Sequence, residues 1–170
     1  MTRTITSSRE DESINAALQR STAVIESVMT RHILTVNTFF LGGMHYKLEQ
    51  IKGKHYKIFC IKEESNSANY IAFWKFLSGG QFVVDRIRRI DSRSNIVWLE
   101  ASYNPISDVH GRLYKVVKFS TIITGQINCE LAVSEAADIA FSTSKQTDNS
   151  AKKGSQVVSD TATVMRQLSD

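Results

Sequence analysis

The sequence predicts an α+β fold, a five-stranded antiparallel sheet with short helices on one face, followed by a long C-terminal helix of coiled-coil type. Three observations predict it. Residues 95–105 alternate at period two, with Val97, Leu99, Ala101 and Tyr103 on one face and Trp98, Glu100, Ser102 and Asn104 on the other. Pro105, the chain's single proline, cannot donate to a ladder and fits the strand's end, while Asp108 and Gly111 supply turn chemistry before a partner strand begins at Leu113. From residue 128 onward large apolar residues thin out and Ala, Ser and Thr dominate. There Ala140, Thr143, Thr147, Ser150, Gly154, Val157, Thr161, Val164 and Leu168 recur at alternating steps of three and four, a coiled-coil seam of mostly small residues.

The remaining elements follow in order. Residues 1–12 are polar and charged and read as a disordered tail. Ile14, Ala17 and Leu18 then mark a short amphipathic helix over 12–20. Strands are expected at 23–28 and 33–36, and Asn37 is placed to cap a short helix through Phe39, Phe40 and Leu41. Gly42, Gly43 and Gly53 divide the next stretch into short helical turns. Residues 67–77 form a better helix, whose broad apolar face carries Tyr70, Ile71, Phe73, Trp74 and Leu77 and which ends at Gly79-Gly80. Strands at about 81–90, 95–105 and 113–123 complete the sheet.

A chain of 170 residues with 42% hydrophobic content holds one core and an appendage. The expected division is a tail at 1–12, a core domain at 13–127 and a helical segment at 128–170. The net charge of +4 is spread over residues such as Lys52, Lys54, Lys57, Arg86, Arg88, Arg89 and Arg93, interleaved with acids. It lacks the sustained basic stripe of a nucleic-acid surface. Cys60 and Cys129 stand far apart without zinc-ligand spacing and read as free thiols. With no run of about 18 apolar residues, no membrane span is expected, and the chain is expected to be soluble and cytoplasmic. No Ser-His-Asp pattern, phosphate loop or metal spacing indicates an enzyme.

Ala23-Val-Ile-Glu26, Tyr46-Lys-Leu, Gly53-Lys-His-Tyr-Lys-Ile-Phe-Cys60, Phe73-Trp74 and Trp98-Leu-Glu-Ala-Ser-Tyr-Asn-Pro105 together resemble the PAS domains of soluble bacterial methyl-accepting chemotaxis proteins of the aerotaxis or energy-taxis kind. Downstream, Thr143 to Gly154 resembles the first heptads of those receptors' signalling helix. The resemblance implies a sensor of oxygen, redox state or a small molecule. Such a sensor passes a conformational change to a dimeric helical bundle that controls a histidine kinase through an adaptor; the tip that binds both is absent from these residues, which fits either a fragment of a longer receptor or a truncated relative. The alternative is a ligand-free PAS module for protein interaction and dimerisation. The chain departs from the family at Thr30-Arg31, His45 and Ser94, where glycine is common, and at Ile122-Ile123-Thr124, where the family has Asp-Ile-Thr. Gln146 is the nearest candidate for reversible methylation.

The resemblance places a pocket on the inner sheet face, with Leu99, Ala101 and Tyr103 as lining candidates and Trp74 and Asn37 matching residues of flavin-binding relatives. The flavin proteins' Arg-His pair is Cys60-Ile61 here, and an asparagine of theirs is Arg89, so FAD is disfavoured. His55 is the best-placed axial ligand for haem iron, in a His-Tyr pair where the family often has His-His. A colourless small molecule or an empty pocket remains open. Consecutive Val116 and Val117 imply cover on both faces of the last strand. On the outer face Trp98, Val117 and Phe119 are the expected homodimer surface.

Overall fold

The computed structural model describes residues 2–167, with side chains described for 9–166. It divides into two compact units, Met1–Gly125 and Gln126–Asp170. The first unit opens with helix α1 (Thr2–Ser21) and strands β1 (Ala23–Val28) and β2 (Ile33–Val36). Two short helices follow, α2 (Thr38–Met44) and α3 (Leu48–Ile51), and then 3-10 turns at Tyr56–Phe59 and Glu64–Asn66. Helix α4 (Ala68–Ser78) and strands β3 (Val83–Ile90), β4 (Ile96–Ser107) and β5 (Leu113–Ile122) complete it. The sheet order is β2-β1-β5-β4-β3, antiparallel throughout, so β1 and β5 pair across almost the full length of the domain's sequence and β3 is an edge.

Register decides which residues share the core. Tyr103 of β4 stands opposite Val83 of β3 and Lys118 of β5, and Lys118 stands opposite Ile25 of β1. Directly opposed residues point to one face, so Ile25, Lys118, Tyr103 and Val83 form one inward row and Ala23, Ser120, Ala101 and Asp85 the next. Helix α4 and the short turns cover this face with Phe40, Met44, Ile51, Tyr56, Phe59, Tyr70, Trp74 and Leu77, all buried.

Three details differ from expectation. Helix α1 begins at Thr2, whereas the sequence predicts a tail through residue 12. No glycine or proline interrupts residues 2–21, so local propensity permits the extension although its described side chains before Gln19 stay exposed. Strand β4 runs two residues beyond Pro105, which pairs with Val116. Proline is tolerated there because β3 ends opposite Tyr103, leaving that side of β4 without a partner that needs its N–H. The third concerns the turns without glycine. Arg31, His45 and Ser94 all adopt positive φ, at 70°, 56° and 67°, a conformation costing about 1 kcal/mol each for a side-chain-bearing residue.

Local contacts offset that strain. The Arg31 guanidinium lies over the Trp74 ring at 5.6 Å. Ser94 sits in a turn where Asp91 Oδ1 accepts from the backbone N–H groups of Arg93 and Asn95, at 2.8 Å each. The His45 carbonyl accepts from Ser92 Oγ at 2.6 Å. At the end of β5, Ile122 offers no carboxylate, yet Trp98 N–H donates to Thr124 Oγ1 at 2.9 Å and Ile123 N–H donates to Trp98 O.

The second unit is the body of helix α5 (Thr124–Gln167). Its described side chains beyond Ile127 are all exposed, including Leu131, Ile139, Phe141, Val157 and Val164. The expected seam member Leu168 lies outside the described residues. No described helix is long and apolar enough to cross a membrane.

Candidate functional site

At the centre of the first unit, alternation along β5 turns Val116, Lys118 and Ser120 inward, which buries a lysine with 2% of its surface exposed. Its Nζ donates to the Tyr56 hydroxyl at 3.2 Å. The Tyr56 and Tyr103 hydroxyls are hydrogen-bonded at 2.9 Å, and Arg89 Nη2 reaches Tyr103 Oη at 3.5 Å. Arg89 in turn lies 3.6 Å from Glu64 Oε2, while Arg88 holds the other oxygen of that carboxylate at 2.8 Å. A polar chain therefore runs from Lys118 through two tyrosines and an arginine to a half-exposed glutamate.

Two effects compete at Lys118. The Phe40, Tyr56 and Tyr103 rings lie 5.2 to 5.9 Å from Nζ and would favour a cation. Burial and the charge of Arg89 oppose one, and together they hold the amine well below its usual range. Removing an ammonium from water costs several kcal/mol, more than ring faces return, and among the described residues Lys118 forms no ion pair with a carboxylate. Burial therefore favours the neutral form of this amine. Burial likewise pushes Tyr56 and Tyr103 above the usual tyrosine range and Tyr70 up to about 12, so all three hydroxyls keep their protons near neutrality. Arg89 remains charged.

Arg89 is 6% exposed, and its Nε has no hydrogen-bond partner; nor do the Tyr70 hydroxyl or the Trp74 indole N–H. Arg89 and Tyr70 line a groove of about 530 Å³ that wraps the edge strand β3 and is walled by Phe73, Ile87, Trp98 and the turn carrying Glu63 and Glu64. That volume falls within the range of small-molecule sites.

The residues expected from sequence separate into three places. Leu99, Ala101, Tyr103 and Trp74 are brought together in the core, and the Tyr56 ring stands edge-on to both Trp74 and Tyr103, at 5.8 and 6.3 Å. Asn37 is elsewhere. It caps α2, its Oδ1 accepting from Phe40 N and Val24 N while its Nδ2 donates to the carbonyls of Gln19 and Thr22. Those four bonds consume the amide and correct its assignment to the pocket. His55 is also turned away, capping the 3-10 turn through Nδ1 with its ring edge-on to His32 at 5.4 Å. Burial, Arg31, Lys57 and His32 lower its pKa.

On the outer face Trp98, Val117 and Phe119 are half-buried, and the Arg88 guanidinium lies 5.9 Å from the Trp98 ring. Gln146 is exposed on α5. Sequence reasoning missed Lys118, Tyr56 and Arg89 as a group. The signal for Lys118 was present, since it lies two residues from both Val116 and Ser120 on a strand.

Residues 33–120 match the family described as the PAS fold. The chain belongs to the PAS family. Over 154 residues, 91% of its length, it is 31% identical to the biofilm dispersion protein BdlA of Pseudomonas aeruginosa, and it spans 37% of that protein. Among solved structures, an RNA-binding light-oxygen-voltage receptor aligns with a TM-score of 0.61 at 15% identity, covering 76% of this chain and 37% of that one. The PAS domain of a protein from Colwellia psychrerythraea aligns at 0.59 with 16% identity, covering 67% and 97%. At those identities the structural likeness shows the fold alone.

The residues of this PAS core do not fit the two coloured cofactors that the sequence raised. Haem would need His55 facing inward, and it faces His32. For flavin, the polar anchor at Asn37 is fully engaged in capping, and the Tyr56 ring stands edge-on to Trp74.

Proposed function

We propose that this PAS module is the sensory part of a chemoreceptor-type signalling protein. It takes up a colourless small molecule and relays its presence toward helix α5, and through the receptor's remaining segments to a histidine kinase and its adaptor. The buried polar chain from Lys118 to Arg89 carries this reading. A PAS core serving only as a scaffold gains nothing from a buried amine without a carboxylate partner and a buried guanidinium at its centre, because apolar residues of like size would pack there at lower cost. The link from Trp98 to Thr124 supports the output direction, since it ties strand β4 to the first residue of the helix.

The half-covered outer residues Trp98, Val117 and Phe119 favour a second reading, in which the sheet serves as a homodimer surface without any ligand. Native mass spectrometry of the full chain, followed by the same measurement after denaturation, separates the two. Sensing predicts a non-covalent low-mass species that leaves on denaturation, with no haem or flavin absorption. A bare-chain mass from every gentle preparation, in a dimeric protein, rejects sensing in favour of the scaffold.

A further inference from the structure

We propose that the ligand is a monocarboxylate with an apolar or aromatic body, seated by its charge on Arg89 at the inner end of the groove beside β3. This rests on the sensor reading above and specifies its ligand. Arg89 presents five N–H donors. Nη1 donates to Arg88 O at 2.6 Å, Nη2 makes only a long contact with Tyr103, and Nε has no partner. The Tyr70 hydroxyl, buried and also unpartnered, lines the same groove. Unmet buried donors around one cation call for an acceptor that carries negative charge.

The protein's own counter-ion is inadequate for this. Glu64 is held more closely by Arg88, at 2.8 Å, than by Arg89, at 3.6 Å. Behind Arg89 the chain of bonds continues through the Tyr103 and Tyr56 hydroxyls to the Lys118 amine, with no carboxylate along it. Along the groove's lining Glu63, Glu64 and Asp85 offset Arg86, Arg88 and Arg89, and the three carboxylates would repel a polyanion. A single compact charge is therefore selected. Phe73, Ile87 and Trp98 supply apolar wall for the rest of the molecule.

Benzoate and benzamide, which share shape and differ in charge, test this by calorimetric titration of the full chain at low salt. Benzoate should bind at millimolar concentration or tighter, and benzamide about ten- to a hundredfold more weakly. Arg89→Gln should abolish that difference. Because the arginine is buried and its variant can misfold, Glu64→Gln provides the second arm. It removes a partly exposed competing carboxylate and should tighten benzoate severalfold without affecting benzamide. Equal binding of the two probes, or a Glu64→Gln protein that binds benzoate no better, overturns the carboxylate assignment while leaving a small-molecule sensor intact. Binding of neither probe also overturns it, and the mass measurement above, which assumes nothing about charge, then decides the sensor reading separately.

Discussion

Replacing Trp74 with alanine is expected to destabilise the PAS core by about 4 kcal/mol, the cost of deleting a large buried aromatic whose neighbours cannot collapse into the space. Trp74 is 4% exposed and stands edge-on to Tyr56, Tyr70 and Phe73, with ring centroids between 5.5 and 6.3 Å away. Arg31, which is held at positive φ, rests on its other side. Loss of the indole thus removes apolar contact and also the support for a strained turn. Since Nε1 has no hydrogen-bond partner, Trp74→Phe should cost only about 1 to 2 kcal/mol, because packing mass and not a polar contact is at stake. Equilibrium urea unfolding of the two variants checks this. A phenylalanine variant as unstable as the alanine one would mean that the indole N–H has a partner of its own.

Lys118→Met is expected to act in the opposite direction, stabilising the fold by about 2 kcal/mol at neutral pH. An unfolded lysine keeps its proton up to about pH 10.4, whereas burial and Arg89 force the folded chain to release it far lower. Between those two values the unfolded state binds the extra proton, so wild-type stability rises with pH through that window. Methionine has no proton to release, and the rise should disappear. The Tyr56 hydroxyl retains Tyr103 as a partner, so the substitution strands no donor. Unfolding free energies measured at about pH 7 and pH 9 for both proteins read the slope directly. A methionine variant that is less stable, with the slope unchanged, would show that Lys118 is a charged and paired group.

The architecture was legible because its signals are local. Period-two alternation in residues 95–105, turn chemistry at Asp108 and Gly111, and Asn37 before an apolar run each report on neighbours a few residues away, and each element forms, with β4 running two residues past its expected end. The positive-φ turns were legible as positions but not as solutions. Arg31 needs Trp74, and His45 needs Ser92, partners more than forty residues distant.

The site was harder for the same reason. Lys118, Tyr56, Tyr103, Arg89 and Glu64 come from two strands, an intervening third and two 3-10 turns, and only the register of β3, β4 and β5 brings them together. Residues such as His55 and Asn37 attract attention as chemical types, yet each spends its side chain on capping the backbone. Arg89 read as a lost flavin anchor in the sequence. In the fold it is a buried cation lining a groove.

The most direct measurement is the 15N–1H spectrum of the arginine Nε groups of the full chain, with and without benzoate, the Arg89 resonance being assigned by its loss in Arg89→Gln. An unpartnered, buried Nε–H should give a distinct signal that exchanges slowly with water, and benzoate should move it downfield as a charged acceptor arrives. An Arg89 signal that stays in place while benzoate binds, with shifts confined to other arginines, would contradict the seat assigned to the ligand.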